Sequence, residues 1–203
     1  MVIYMNKAVF LDRDGTINEE RNYLYRIEDF AYMDGVIEAL HFLKELGYLL
    51  IVITNQSGIA RGYYTEEEFL RLNQWMLEDL EQKGIHISEV YYCPHHPDGI
   101  VKKYVARCRC RKPGTELFWK AQEAFQIDMG RSYAIGDKMR DVSICRESGV
   151  QGIILGESGN DKSNISKPDG QGTIWRCGSL FEAAERITKE NKNEMRRRKK
   201  NVG

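Results

Sequence analysis

Two carboxylates stand two residues apart where an apolar run ends: Ala8-Val9-Phe10-Leu11 is followed by Asp12-Arg13-Asp14-Gly15-Thr16. The run reads as a buried strand. If the chain stays extended, Asp12 and Asp14 share one side and Arg13 faces away from them. Like charges that close repel and raise one pKa unless something positive sits between them. The pair therefore points to a bound cation, or to one carboxylate held protonated as an acid. A solvated Asp-Gly turn after a strand is the plainer reading, and Gly15 suits a sharp turn in either case. This stretch does not choose among the three.

A second group of residues has metal-ligand spacing. Cys93-Pro94-His95 and Cys108-Arg109-Cys110 give C-x-H, twelve residues, then C-x-C. Three thiolates and an imidazole saturate a tetrahedral Zn2+ and leave no open position, so such a site is structural. His96 could compete with His95, and His95 is the better fit to the spacing. The ion would pin a loop with no core of its own, and that loop ends in Arg111-Lys112-Pro113. Two adjacent cations held in this way read as an anion clamp, with Arg bidentate and Lys a point charge. Cys145 and Cys177 sit in helix- and strand-like surroundings and read as small buried residues.

The elements that must position these groups follow from periodicity. Asp34-Gly35 opens a helix with Val36, Ile37, Leu40, Leu43 and Leu46 at helical spacing and Gly47 as its stop. Tyr48 to Ile53 reads as a strand covered on both faces, ending in Thr54-Asn55-Gln56-Ser57. Thr65 and Glu68 form a capping box for a helix running to Gly84. A strand from Ile85 to Tyr92 and a helix from Thr115 to Phe125 come next. The strand Ser132 to Ile135 leads into Gly136-Asp137-Lys138, followed by a helix from Val142 to Ser148. Gln151 to Leu155 is a strand, Thr173 to Trp175 a short edge strand, and Leu180 to Lys189 a last helix. Alternating strands and helices imply a three-layer, Rossmann-like α/β domain with a mostly parallel sheet. Polar clusters follow three strands, and ligands of such sheets bind outside the strands' carboxyl ends.

With 30 basic and 30 acidic residues among 203, net charge is zero and gives no bias toward nucleic acid or membrane. The length suits one domain, expected over residues 1–190, followed by a basic tail at 191–203 expected to be disordered. The Gly156 to Gly172 stretch reads as a surface loop. There is no long apolar span or signal-like leader, and the odd, crowded cysteines suit a reducing compartment. A cytoplasmic monomer is the expectation.

Asp12, Asp14 and Asp137 would suit Mg2+, completed by water and phosphate oxygens. Thr54, Asn55, Arg111, Lys112 and Lys138 would face a phosphoryl group. Taken in order, Asp12-Arg13-Asp14-Gly15-Thr16, Thr54-Asn55, Lys112 and Gly136-Asp137-Lys138-x-x-Asp141 resemble the four motifs of the haloacid dehalogenase superfamily of phosphotransferases. Within it, FLDRDGTIN, TNQSGIARG, YYCPHH and the C-x-C-R-K-P segment are similar to the family of heptose 1,7-bisphosphate 7-phosphatases, over Val9 to Leu155.

That resemblance implies Asp12 as nucleophile and Asp14 as acid and base. It implies Mg2+ on Asp12, Asp137 and the backbone carbonyl of Asp14, and Zn2+ on Cys93, His95, Cys108 and Cys110. Thr54 and Lys112 would stabilise the phosphoryl group. Arg13, Glu20, Arg21, Asn22, Tyr23, Asn55, Gln56, Ser57, Arg61, Arg111 and Lys138 would contact the sugar bisphosphate. It further implies removal of the 7-phosphate through an aspartyl-phosphate, in nucleotide-activated heptose biosynthesis, with little or no cap domain. Family members usually continue Lys-Pro-x-Pro-Gly, whereas this chain reads Lys112-Pro113-Gly114-Thr115. The rival of like chemistry is a histidinol-phosphate phosphatase, which needs an anionic subsite for its amine. A catalytically dead, zinc-stabilised binding domain is the rival of another class.

Overall fold

Residues 5–156, 165–166 and 173–200 are described by a computed structural model, with side chains throughout except at 165–166, 173 and 194–200. Seven strands form one sheet: β1 (Ala8–Leu11), β2 (Leu49–Asn55), β3 (Ile87–Cys93), β4 (Tyr133–Gly136), β5 (Gln151–Leu155), β6 (Ile165–Ser166) and β7 (Thr173–Cys177). Their order is β3-β2-β1-β4-β5-β7-β6, parallel from β3 to β7, with β6 antiparallel at the edge. The helices are α1 (Val36–Glu45), α2 (Ser57–Arg61), α3 (Glu66–Gln82), α4 (Glu116–Phe125) and α5 (Leu180–Lys200).

Period two decides which side chain enters which layer. Val9 and Leu11 of β1 pack with Leu50, Val52 and Ile135 against Leu40, Leu43, Met76 and Ile187 from α1, α3 and α5. Ala8 and Phe10 go through to the other face, with Ile51, Ile53 and Ala134, against Phe118 and Ala121 of α4. Being covered on both faces is why these strands read as near-continuous apolar runs. The chain leaves β1 for β2 on one side, whereas β4 lies on β1's other side. That reversal opens a crevice at the carboxyl ends of β1, β2 and β4. Asp12, Thr54, Asn55 and Asp137 are the residues at that edge.

Several expectations shift. β2 runs two residues further than expected, to Asn55, because β3 continues to pair with it as far as Cys93. The helix expected at Val142–Ser148 is a 3-10 helix over Met139–Arg146, with Val142 off helical geometry. It is pulled forward by the Asp141 carboxylate, which accepts the Lys138 backbone N–H at 2.9 Å. β7 is not the edge strand: it pairs with β5 and is itself covered by β6. α5 continues through the basic run expected to be disordered, as far as Lys200. Its inner turns are seated on the core, no Gly or Pro interrupts it, and cations suit the negative end of a helix. Most of the 156–172 loop and the end of the tail, 201–203, lie outside the described residues. No inserted domain stands between Thr16 and α1, where the chain forms a short loop pinned by an Asn18–Tyr32 bridge.

Phe10 and Phe118 meet edge to face at 5.3 Å and are almost wholly buried, joining β1 to α4 within the layer. Phe118→Ala removes one ring from a packed layer and should cost about 3–5 kcal/mol of stability. The measurement is a lower denaturant midpoint at unchanged m-value.

Candidate active site

Asp12 ends β1, and its backbone N–H still bonds to Ile135 of β4 at 3.0 Å. Its carboxylate meets two others, and ligand oxygens of Asp12, Asp137 and Asp141 lie within 4.8 Å of one another. Gly15 and Gly136 allow this crowding. A Cβ on Gly15 would stand 2.8 Å from the Asp137 carboxylate, and one on Gly136 would stand 2.3 Å from Asp141 Cβ. Gly15 also holds φ +82°, in the left-handed region that glycine tolerates.

Lys112 enters this group from the cysteine-rich loop. Its Nζ lies 2.9 Å from Asp12 Oδ1 and 2.8 Å from Asp141 Oδ1, and donates to the Ile53 carbonyl at 2.6 Å. The backbone N–H of Lys112 donates to Asn55 Oδ1 and its carbonyl accepts from Asn55 Nδ2, both at 3.0 Å. That reciprocal pair fixes Lys112 to the end of β2. Lys112 is therefore not one half of a clamp with Arg111: it points into the carboxylates while Arg111 lines the cavity. Burial pushes the Asp12 carboxyl up; Lys112 opposes this, while Asp141 and Asp14 add to it. Asp137 gives one oxygen to Lys138 at 2.9 Å and keeps the other, Oδ1, buried without a hydrogen-bond partner. Three hard oxygen donors, one of them unpaired, fit a Mg2+-sized cation.

Asp14 has another environment. Its carboxylate accepts from Arg13 at 2.9 Å, from Asn18 Nδ2 at 3.0 Å and from Gln56 Nε2 at 2.9 Å. Burial alone would raise its pKa, but the Arg13 guanidinium and these hydrogen bonds outweigh it and hold Asp14 below the ordinary carboxylate range. Its side chain takes no part in the carboxylate cluster. Arg13 corrects two expectations. It neither faces away from the carboxylates nor touches the cavity: at 1% exposure it lies over the Phe69 ring and curls back to Asp14. The strand ends at Leu11 and the backbone already turns at Arg13, whose carbonyl accepts from the Thr16, Ile17 and Asn18 N–H groups, so its long side chain can return to Asp14. Gln56 also bonds to Thr54 Oγ1 at 2.9 Å and accepts from Tyr64 OH at 2.5 Å, linking Asp14 to the end of β2.

Above these groups opens a cavity of about 390 Å3. Asp12, Asp14, Glu20, Asn22, Tyr23, Thr54, Asn55, Gln56, Ser57, Arg61, Arg111 and Lys138 line it, all of them expected from sequence. Arg21 does not: it pairs with Glu19 at the surface and borders a separate groove, its charge being satisfied there. Tyr64, His96 and Arg140 line the cavity and Asp141 completes the carboxylate cluster, although none was expected to act there. Asp141 had a signal in its fixed spacing from Asp137. The others depend on loop geometry that periodicity does not encode.

Beyond the cavity, Cys93, His95, Cys108 and Cys110 converge. Cys93 Sγ lies 3.5 Å from Cys108 Sγ and 3.3 Å from Cys110 Sγ, and His95 Nδ1 lies 3.4 Å from Cys110 Sγ. Zinc–sulfur bonds of about 2.3 Å place tetrahedral ligands about 3.8 Å apart, so this donor set suits a structural zinc. His95 is the histidine in the cluster, while His96 turns to the cavity. The loop is held from outside by Glu66, which accepts from Tyr104 OH at 2.6 Å and Tyr92 OH at 3.0 Å.

Comparison with known proteins fits this geometry. A HAD-hydrolase-like family model matches residues 109–176. The chain is 45% identical to the D-glycero-beta-D-manno-heptose-1,7-bisphosphate 7-phosphatase of Yersinia pestis, over 75% of this chain and 81% of that protein. It is 43% identical to the alpha-named counterpart of Photorhabdus laumondii, over 77% and 86%. The crystal structure of D,D-heptose 1,7-bisphosphate phosphatase from B. bronchiseptica, complexed with magnesium and phosphate, superposes with a TM-score of 0.74 at 26% identity, covering 91% of this chain and 99% of that one. With two thirds or more of each relative covered at such identity, the chain belongs to the heptose-1,7-bisphosphate 7-phosphatase family of haloacid dehalogenase-like phosphatases.

Proposed function

We propose that this chain is a Mg2+-dependent phosphatase that removes the 7-phosphate of D-glycero-D-manno-heptose 1,7-bisphosphate. One observation carries the choice of substrate. The cavity over Asp12 is lined by Arg61, Arg111, Arg140 and Lys138, more cations than its own carboxylates pair. Outside the catalytic pair its only lining carboxylate among the described residues is Glu20, and Glu20 already faces Lys138 at 3.5 Å. A substrate with a second phosphate suits that wall. Histidinol phosphate, with its cationic amine, does not.

In this reading Asp12 attacks phosphorus, forming an Asp12–phosphate bond as the bond to the C7 oxygen breaks. Thr54 and Lys112 face the charge that spreads over the phosphoryl oxygens. Asp14 gives the leaving oxygen a proton, then takes one from the water that releases phosphate and restores Asp12. At rest Asp14 is held ionised, so its proton must come with the bound phosphoryl group, whose negative charge raises a neighbouring carboxyl pKa. Asp12, Asp137 and Asp141 would hold Mg2+, with the backbone carbonyl of Asp14, and the ion supplies charge neutralisation. Cys93, His95, Cys108 and Cys110 would hold Zn2+ and stiffen the loop that delivers Arg111 and Lys112.

Asp12→Asn should abolish phosphate release while leaving the circular dichroism and melting transition close to wild type. Turnover at the wild-type rate would remove the mechanism. Protein purified without chelator should contain about one equivalent of zinc and lose thermal stability when it is stripped; less than about half an equivalent would count against the site. Both anomers of heptose 1,7-bisphosphate should be hydrolysed faster than histidinol phosphate or fructose 1,6-bisphosphate. Best turnover on histidinol phosphate would overturn the substrate.

A further inference from the structure

One contact on the cavity wall cannot be a hydrogen bond at both of its ends. His96 lines the cavity, and each of its ring nitrogens meets an N–H donor. The backbone N–H of Asp98 lies 3.1 Å from Nδ1, and an Arg61 guanidinium nitrogen lies 3.0 Å from Nε2. A neutral imidazole has one N–H and one acceptor nitrogen, and an imidazolium has two N–H groups. Neither form accepts from both neighbours. The Asp98 N–H is fixed within a tight turn, where Gly99 N–H bonds the His96 carbonyl and His96 N–H bonds that of Tyr104. Nδ1 is therefore the acceptor. The Asp98 carboxylate, at 3.9 Å, is too distant to hold a proton there. The ring proton then sits on Nε2, so the 3.0 Å contact with Arg61 is not a hydrogen bond and both groups are left as donors in need of an acceptor.

The rest of the wall has the same surplus. Arg61 Nε, Arg111 Nη1 and Arg140 Nε are buried without a hydrogen-bond partner. The carboxylates lining the cavity are committed elsewhere: Asp12 to Lys112, Asp14 to Arg13, Asn18 and Gln56, and Glu20 to Lys138. Buried donors left unpaired are costly, so the cavity is built for a ligand that brings several acceptor oxygens close together. A phosphate monoester meets that requirement, bringing acceptor oxygens to the face that the two donors share.

We propose that His96, as its Nε2–H tautomer, is a specificity-determining residue that donates together with Arg61 to the phosphate that is not cleaved. The assignment rests on the bisphosphate reading above. It makes His95 and His96 neighbours with opposite duties, one facing the thiols and the other the substrate.

Two measurements test it on the purified full-length protein. In 15N–1H NMR of the free enzyme, the His96 ring proton should be on Nε2; a proton on Nδ1 overturns the assignment without reference to any substrate. In kinetics, the quantity is the ratio of kcat/KM for heptose 1,7-bisphosphate to that for heptose 7-phosphate. His96→Asn keeps a short acceptor for the Asp98 N–H and loses the far donor, whereas His96→Gln places an amide N–H near the Nε2 position. The ratio should fall about tenfold or more in H96N, through KM, and return to within about threefold of wild type in H96Q. A wild-type preference that survives in H96N removes the His96 assignment alone. A wild-type enzyme with no preference for the bisphosphate removes the bisphosphate reading and this assignment with it.

Discussion

The site depends on one buried ammonium. Lys112 Nζ touches Asp12, Asp141 and the Ile53 carbonyl, and its side chain is 1% exposed. Taking such charges out of water costs several kcal/mol per ion, repaid only when partners and geometry are nearly complete. Each remaining part of the edge can be understood as a means of completing them. Gly15 and Gly136 let carboxylates approach where any side chain would collide. Asn55 grips the Lys112 backbone on both sides, so the loop cannot carry the lysine away from β2. The sheet fixes Asp12 and Asn55 against each other because β1 and β2 are paired in register up to Leu11 and Val52.

The sequence is most legible where one periodicity governs. β1, β2 and β5 are apolar runs because both faces are covered, and Thr65 with Glu68 form the capping box that their spacing predicts. The metal-type cluster is legible for a different reason: four ligands of unusual chemistry at short spacing have few other uses. Legibility fails where the backbone leaves a regular element. Period two points Arg13 away from Asp14, yet Arg13 Nη2 reaches both Asp14 oxygens, at 2.9 and 3.0 Å, because the strand ends at Leu11, the backbone turns from Arg13 on and the side chain is long enough to return. His96 and Arg140 lie in segments whose side-chain directions are set by contacts with α2 and by a kinked 3-10 helix, neither of which has a repeating pattern. α5 outruns its expected end because composition alone weighs charge and ignores that a helix seated by Leu180, Ala183, Ala184 and Ile187 extends readily through good helix formers.

The loop between Cys93 and Cys110 joins two tasks. Its shape comes from the thiol–imidazole cluster on one side and, on the other, from the Glu66 contacts with Tyr92 and Tyr104 and the packing of Tyr104 and Val101 on Ile59, Ala60 and Phe69. Backbone bonds from Ile100 and Val101 to the Ala60 carbonyl tie it to α2. Held at these points, it carries His96 and Arg111 into the cavity wall while sending Lys112 to the carboxylates. On the proposed bisphosphate reading, a rigid loop would hold the groups that meet the two ends of the substrate at a fixed separation.

The two carboxylates at the start of the argument are unequal, and their inequality runs opposite to a naive division of labour. A nucleophile should be ionised and an acid should hold a proton, yet Asp12 is pushed up and Asp14 is held down. The difference is the positive charge each has at hand. Asp14 has the Arg13 guanidinium to itself, whereas Asp12 shares one ammonium with Asp141 in a group of three carboxylates. Protein charge therefore compensates Asp12 less fully than Asp14. On the proposed mechanism, a cation held by Asp12, Asp137 and Asp141 would favour the ionised nucleophile, and the substrate's own charge would favour a proton on Asp14. On that mechanism Arg13 would have a task no substrate contact gives it, keeping Asp14 ionised until a phosphoryl group raises its pKa.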